Sequence, residues 1–344
     1  MTRKVAFGLV GFAGIAILAA IALRLKMPPR PEIPMPGKFP EQMVYVQASD
    51  DVMDAGLLFA PPKGSSNPIA IIWVHGWGTN FYNPSYVAIG RALAAKGFTT
   101  ISVNTRMHDI GNVEKYTPFG QRIRGGGYWG VTSDDALDIG SWVDYADHIG
   151  FKRVVVVGHS AGWASVAHYQ GETRDPRVIG LVLASGMTGV AGKADTDLQA
   201  QAMKLVAKGS GEELIRLPNP SFPSYVSAAT ELDMENTPPP YKDFFGIGHS
   251  PFPGVLRVKC PILAFFDTTD DVGGQGDLDA VKASVQRLHG VPKLDTTMIA
   301  GGGHEYNGEA AQVADKITHW IDGNVLKRQP VASHPRPNPP RGRG

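Results

Sequence analysis

VVVVGHSAGWASVAHY, residues 154–169, sets four valines directly against Gly158-His159-Ser160-Ala161-Gly162 and then runs into a small-residue segment of helical pattern. A short β-branched run that ends at glycine reads as a buried strand. The chain must then turn sharply to start a helix, which puts Ser160 on a strained corner. Glycines at 158 and 162 remove side chains that would strike the neighbouring strand and helix. A serine on such a corner stands exposed above the sheet edge. It also sits at a helix N-terminus, where the dipole is positive and backbone N–H groups lack intrahelical partners. An oxyanion is stabilised there, with the Ala161 amide as one donor. Taken alone, G-x-S-x-G also occurs as an ordinary turn, so the rest of the chain has to supply a base, an acid and a second donor.

A serine hydroxyl is a weak nucleophile and needs a base, normally a histidine oriented by a carboxylate. Of the ten histidines, His304 lies in IAGGGHEYNG, between the last strand candidate and the last helical pattern. Its glycine-rich loop can reach back over the sheet edge. The acid is sought in AFFDTTDDVGG, where Asp267, Asp270 and Asp271 follow an apolar strand. That end of a strand is where open α/β sheets bind ligands. Asp267 stands too close to the strand end, Asp270 has the better spacing, and Asp271 is the alternative acid. Upstream, IIWVHGWGTNFYNP puts His75-Gly76-Trp77-Gly78 after another apolar strand. Its glycines let the backbone approach a substrate oxygen, and the Trp77 amide is the candidate second donor. His75, at a strand end before glycine, is read as a brace for the loop rather than as the base.

Around these segments, short apolar runs alternate with helical patterns, the signature of a largely parallel sheet covered by helices. Strands are expected at 43–47, 52–59, 69–74, 99–103, 153–157, 178–184, 262–266 and 296–299, and helices at 84–95, 133–148, 160–169, 276–288 and 309–321. Two stretches break the alternation. Residues 105–131 form a long connection with three successive glycines, and connections of that length are commonly functional. Residues 187–250 form a larger insertion between the sixth and seventh strands, with a helical piece and a Pro-rich piece; a cap is expected there.

Composition narrows the function classes. The 33 basic and 32 acidic residues are interleaved and leave a formal charge of +1, so no basic stripe points to nucleic acid. Cys260 is the single cysteine, which excludes an intrachain disulfide and argues against a cysteine-based zinc site. Nothing implies a metal or an organic cofactor. Residues 5–23 are uncharged, with Arg3 and Lys4 before and Arg24 and Lys26 after. Nineteen residues at about 1.5 Å rise just cross the hydrocarbon core. An uncleaved signal anchor within residues 1–26 is expected, which would tether the protein to a membrane. The alternative is a cleaved signal peptide and a secreted or periplasmic protein, since Ala20-Ile21-Ala22 reads as a cleavage site. Residues 27–41 form a Pro-rich linker, residues 42–326 the folded domain, and residues 327–344 a tail with little to bury.

HGWG, the segment NTRMHD at 104–109, GHSAG, the acidic loop and GGGHE occur in an order that resembles the α/β-hydrolase-fold serine hydrolases, the esterase- and lipase-like superfamily. The resemblance covers about residues 42–325. It implies an eight-stranded sheet with helices on both faces and a cap after strand six. Many members carry D-x-R-G-H-G after strand four, and Asn104, Met107 and Asp109 depart from it. Asp267 likewise stands where a glycine is frequent. The implied chemistry is acyl transfer through Ser160, His304 and Asp270 or Asp271, with Trp77 and Ala161 as the oxyanion hole, on a small-molecule ester. Met203, Leu205, Leu214, Phe222, Tyr225, Met234, Phe244 and Phe245 suggest an apolar pocket for a hydrophobic or aromatic group. Arg122 and Arg124 could meet an anion but read first as solvated loop residues. An amidase or peptidase of the same fold is the alternative, and a non-catalytic, membrane-tethered binding protein is a third.

Overall fold

The computed structural model describes residues 40–116, 122–188, 195–218 and 224–326. The apolar segment 5–23, most of the Pro-rich stretch and the tail from 327 lie outside the described residues. Among the described residues, no helix is long and apolar enough to cross a membrane.

The strands in chain order are β1 (Glu41–Gln47), β2 (Met53–Phe59), β3 (Ala70–Val74), β4 (Thr100–Val103), β5 (Asn112–Tyr116), β6 (Arg122–Gly125), β7 (Val154–His159), β8 (Val178–Ala184), β9 (Leu214–Arg216), β10 (Tyr225–Ser227), β11 (Ile262–Asp267) and β12 (Leu294–Ile299). Eight of them form one sheet in the order β1-β2-β4-β3-β7-β8-β11-β12. β2 runs antiparallel to both its neighbours, and from β4 to β12 every pairing is parallel. All eight expected strands are in this sheet. The pairs β5–β6 and β9–β10 are small antiparallel additions that the alternation pattern did not reveal.

The helices are α1 (Pro84–Ala95), α2 (Asp135–His148), α3 (Ala161–Thr173), α4 (Thr196–Ala207), α5 (Ala228–Glu235), α6 (Pro239–Lys242), α7 (Gln275–Gln286) and α8 (Ala310–Ile321). Successive strand residues face opposite sides, so a strand covered on both faces has to be apolar throughout. The four valines of β7 show this directly. Val154 and Val156 join a core with Trp142 of α2, Trp163 of α3 and Val281 of α7, while Val155 and Val157 join one with Ile89 of α1 and Ile317 of α8. All four are fully buried. β3 alternates in the same way, with Ile72 on the first side and Ile71 and Trp73 on the second.

β3 and β7 are neighbours, yet β3 continues through α1 to β4 on one side and β7 continues through α3 to β8 on the other. The loops leaving their carboxyl ends therefore diverge, and the crevice between them is where open α/β sheets bind ligands. The HGWG and GHSAG segments both open onto it.

Between β8 and β11 the insertion builds a core of its own from Leu198, Ala202, Ile215, Val226 and Ala228, with Leu205 packed against it. It rests on the glycine-rich part of the 105–131 connection. The Ser227 amide donates to the Tyr128 carbonyl at 2.7 Å, the Trp129 indole N–H to the Glu212 carbonyl at 2.8 Å, and the Thr230 hydroxyl to the Gly130 carbonyl at 3.1 Å. The expected pocket residues divide here. Met203, Leu214, Tyr225 and Met234 are exposed, Phe222 lies outside the described residues, and Phe244 and Phe245 belong to the main core. Phe245 meets Trp163 edge-on with centroids 5.6 Å apart, so those two phenylalanines stiffen α3 rather than line a pocket. Arg124 is exposed, as expected, and in addition stacks on the Trp129 ring and pairs with Glu212. The Arg122 side chain lies outside the described residues.

A buried charge fixes the segment after β4. Both Oδ atoms of Asp138, in α2, accept from the Arg106 guanidinium at 2.8 and 3.0 Å, and Oδ2 also accepts from the Arg106 amide at 2.7 Å. Asp50 takes the other edge of the guanidinium at 2.7 and 3.0 Å. Removing Asp138 would leave an arginine side chain that is only 7% exposed without its main partner. Asp138→Ala is therefore expected to lower the unfolding free energy by about 3–5 kcal/mol in urea titrations. The double change Arg106→Met with Asp138→Leu should recover most of that loss.

Candidate active site

β7 stops at His159, α3 starts at Ala161, and Ser160 between them has φ 53° and ψ −121°. A non-glycine residue in that region is strained and persists only where its surroundings hold it. The surroundings are three glycines packed without clearance. A Cβ at Gly158 would lie 2.3 Å from the Gly162 carbonyl oxygen, one at Gly162 2.4 Å from the His75 oxygen, and one at Gly76 2.8 Å from the Ser160 Cβ. The Ser160 amide donates to the Ala184 carbonyl at 2.9 Å, which anchors the corner to β8.

The structure brings Ser160, His304 and Asp270 together, although they come from three loops. Ser160 Oγ lies 3.0 Å from His304 Nε2, and His304 Nδ1 lies 3.0 Å from Asp270 Oδ1. A carboxylate can only accept, so Nδ1–H donates to Asp270 and Nε2 is left to accept the serine proton. Burial alone would push His304 down, but the hydrogen bond and charge of Asp270 outweigh it and hold the imidazole above its ordinary range. Burial likewise pushes Asp270 up, and the bonds from His304 and Ser185 hold it below the usual carboxylate range. Asp271 is exposed and makes no such bond with His304. Asp267 is buried and serves the loops, accepting from the Thr269 amide and hydroxyl at 2.8 and 2.7 Å and from the Gly302 amide at 2.8 Å. It therefore fixes the distance between the acid loop and the His304 loop.

Ser185 and Tyr306 were not singled out in the sequence. The Ser185 hydroxyl donates to Asp270 Oδ2, and Tyr306 OH, at 2.5 Å, donates to Ser185 in turn. Both residues are fully buried and both have positive φ, 49° and 53°. The only sequence signal was position: Ser185 follows the end of a strand, and Tyr306 stands two residues after His304.

At the other side of Ser160, Ala161 is the first residue of α3, so its N–H has no acceptor within the helix. The 76–78 loop passes against the Ser160 Cβ, as the Gly76 contact requires. Its backbone is braced from several directions. His75 Nδ1–H donates to the Gly76 carbonyl at 2.7 Å, and Nε2 accepts from the Thr105 amide at 3.1 Å, the bracing role expected for it. The Trp77 indole donates to the Gly127 carbonyl at 2.9 Å. Asn104 accepts from the Phe81 amide at 2.9 Å, and Asp109 from Asn80 at 2.7 Å. Two of the positions that depart from D-x-R-G-H-G thus tie the loops after β3 and β4 together.

Among the described residues, two donor groups lie close enough to hold a cation, His159 with His304 and Glu305, and Asp270 with Asp271 and His304. Each needs His304, whose two ring nitrogens are engaged with Ser160 and Asp270. A metal there would compete with that chain of bonds. Chemically the arrangement offers a hydroxyl with a base at hydrogen-bond distance, the base oriented by a carboxylate, and amides beside the hydroxyl.

The corner's steric demand can be measured. Gly158→Ala is expected to destabilise by about 1–3 kcal/mol or more, because backbone atoms of Gly162 cannot move aside cheaply. Gly276→Ala in α7, where an added Cβ meets nothing within 4 Å, should instead stabilise by about 0.4–1 kcal/mol. Thermal or urea unfolding of the two variants checks both signs.

Solved structures share this architecture. The chain is similar to DcsB, solved in complex with its substrate analogue, at TM-score 0.61 and 16% identity over 83% of this chain and 99% of that one. It is similar to Est1E from Butyrivibrio proteoclasticus with ferulic acid bound, at TM-score 0.56 and 14% identity over 82% and 99%. The esterase Pf2001 from Pyrococcus furiosus gives TM-score 0.53 and 14% identity over 87% and 98%. No curated protein matches the sequence. The model of the alpha/beta hydrolase family matches residues 71–316, well over half of the chain, and the protein belongs to that family.

Proposed function

We propose that the protein is a serine hydrolase that cleaves carboxylic esters through an acyl-enzyme on Ser160. The observation that carries this reading is the unbroken chain from Ser160 Oγ through His304 to Asp270, with both links at 3.0 Å, on a positive-φ corner. Family membership and the esterases among its structural neighbours support hydrolase chemistry in general.

In this mechanism His304 Nε2 takes the Ser160 proton as Oγ attacks the ester carbonyl. Asp270 stabilises the imidazolium that forms and keeps the proton on Nδ1. The carbonyl oxygen gains negative charge, and the Ala161 and Trp77 amides are the donors assigned to hold it, as dipoles of the backbone that need no reorganisation during the reaction. The imidazolium then gives its proton to the leaving alcohol. Water enters by the same route and attacks the acyl carbon as His304 takes its proton; the bond to Oγ then breaks, His304 returns the proton to Ser160, and the acid product departs. The substrate is a small ester with a hydrophobic or aromatic group, a reading supported by Trp77 and Tyr128, whose rings lie 6.0 Å apart beside the loop over Ser160. The apolar segment 5–23 supports tethering of the domain by a signal anchor. A mature chain starting near residue 23 and fractionating as soluble would overturn the tether alone.

The test is an active-site titration. A fluorophosphonate should label the purified protein and fail to label Ser160→Ala; equal labelling of the two would overturn the assignment. Asp270→Asn should slow acylation by about 10²–10⁴-fold. Asp271→Asn should leave it near wild type, and the reverse ranking would exchange the two acids.

The pH profile follows from the sign of the His304 shift. Only neutral imidazole can take the serine proton, so the rate should fall as pH drops through an ionisation above the ordinary value of about 6.5. Asp270→Asn removes the charge that raises His304, and the limb should move to lower pH. A limb that stays where it was would contradict the pairing.

A further inference from the structure

His159, the variable residue of G-x-S-x-G, has a role that its position between strand and nucleophile does not announce. Its ring is wholly buried, and each nitrogen makes one bond: Nδ1 lies 2.6 Å from the Tyr86 hydroxyl and Nε2 lies 2.8 Å from the His304 carbonyl oxygen. The Tyr86 oxygen also accepts from the Gly76 amide at 3.2 Å. Only one set of directions satisfies every group. The His304 carbonyl can only accept, so Nε2–H donates to it; Nδ1 of the neutral ring then accepts, and Tyr86 O–H donates to Nδ1. Burial pushes His159 down and Tyr86 well up, which keeps the ring neutral and the phenol protonated, as the directions require.

We propose that His159 and Tyr86 are positioning residues, forming a three-bond relay from the Gly76 amide to the His304 carbonyl that holds the oxyanion loop and the base loop in one register around Ser160. The proposal rests on the reading above, in which His304 is the base and the loop at 76–77 supplies an oxyanion donor. The relay joins residues far apart in the chain, β3's loop at 76, α1 at 86, the corner at 159 and the last loop at 304. Its members are clamped rather than merely satisfied. The His159 ring lies against Trp73 at 6.4 Å with planes 22° apart, and edge-on to Tyr86 and Tyr306 at 5.4 and 5.5 Å. A carbonyl held from behind fixes the backbone that carries the His304 ring, and a fixed amide at Gly76 fixes the peptide that leads to Trp77. An error of about 1 Å between such groups can cost on the order of 10²-fold in rate.

The last loop has two further ties to α1. Asn83 donates to Glu305 at 3.2 Å, and Ser85 donates to Asn307 at 2.9 Å. Loss of the relay should therefore shift the loops without unfolding them. Tyr86→Phe is the mildest probe, since it deletes one oxygen and keeps the ring.

The experiment compares wild type, Tyr86→Phe, His159→Gln and His159→Leu by fluorophosphonate labelling rate, by kcat and KM on a p-nitrophenyl ester, and by amide hydrogen exchange. Tyr86→Phe should slow labelling and kcat by about 10- to 100-fold at unchanged KM. Exchange should speed up in both peptides, 75–79 and 302–307. His159→Gln keeps a donor and an acceptor and should retain more activity than His159→Leu. The relay is overturned if Tyr86→Phe labels within about twofold of wild type, if KM rises at constant kcat, or if exchange changes in one loop only. A wild-type protein that no probe labels would sink the hydrolase reading instead, while the exchange of the two loops would still decide the relay.

Discussion

Everything in the site depends on one steric constraint: the chain must reverse from β7 into α3 within a single residue, Ser160, at positive φ. Such a corner costs about 1–3 kcal/mol and needs a reason to persist. Here the reason is close backbone packing. Gly158 meets Gly162, Gly162 meets the His75 carbonyl, and Gly76 meets Ser160 itself. These contacts do more than permit the corner. They bring the loop after β3 and the first turn of α3 against the same residue, so the packing that permits the strain also sets two backbone segments beside Ser160.

The polar groups beneath this corner are buried and nearly all paired, and their pairing spans the molecule. Asp270 receives hydrogen bonds from both His304 and Ser185, and Ser185 is held by Tyr306. Asp267, one turn away, holds the Gly302 amide. A carboxylate with every oxygen satisfied stays ionised even where burial opposes it, as Asp270 and Asp267 both do. The same logic keeps Arg106 charged between Asp138 and Asp50, away from the serine. Buried charge thus orients the His304 ring in one place and pins the segment after β4 in another.

The parts legible in the sequence were those with local signatures. Four valines ending at glycine gave a strand buried on both faces, and all eight strands of the sheet were recoverable from such runs. His304 was legible because glycines flank it after a final strand, and Asp270 because its spacing from the strand end separated it from Asp267. What stayed hidden depends on pairing across long separations. Ser185 and Tyr306 stand 121 positions apart, Tyr86 and His159 stand 73 apart, and no periodicity links either pair. Composition misled where an aromatic residue could serve either core or pocket. Phe244 and Phe245 went to the core because the end of the insertion turns back onto the main sheet domain, where Phe245 packs on Trp163. The β5–β6 and β9–β10 pairs escaped because NVEKY, RIRG, LIR and YVS carry neither an apolar run nor a sustained alternation to be read.

In the proposed reaction Ser160 carries the acyl group between two half-reactions. Intact-mass spectrometry of protein quenched during turnover of a slowly deacylated aryl ester tests this most directly. The expected result is a species heavier than the free protein by one acyl group, mapped by peptide sequencing to Ser160 and lost as substrate runs out. Turnover with an adduct on another residue, or turnover with no adduct under conditions where the aryl alcohol appears in a burst, would contradict it.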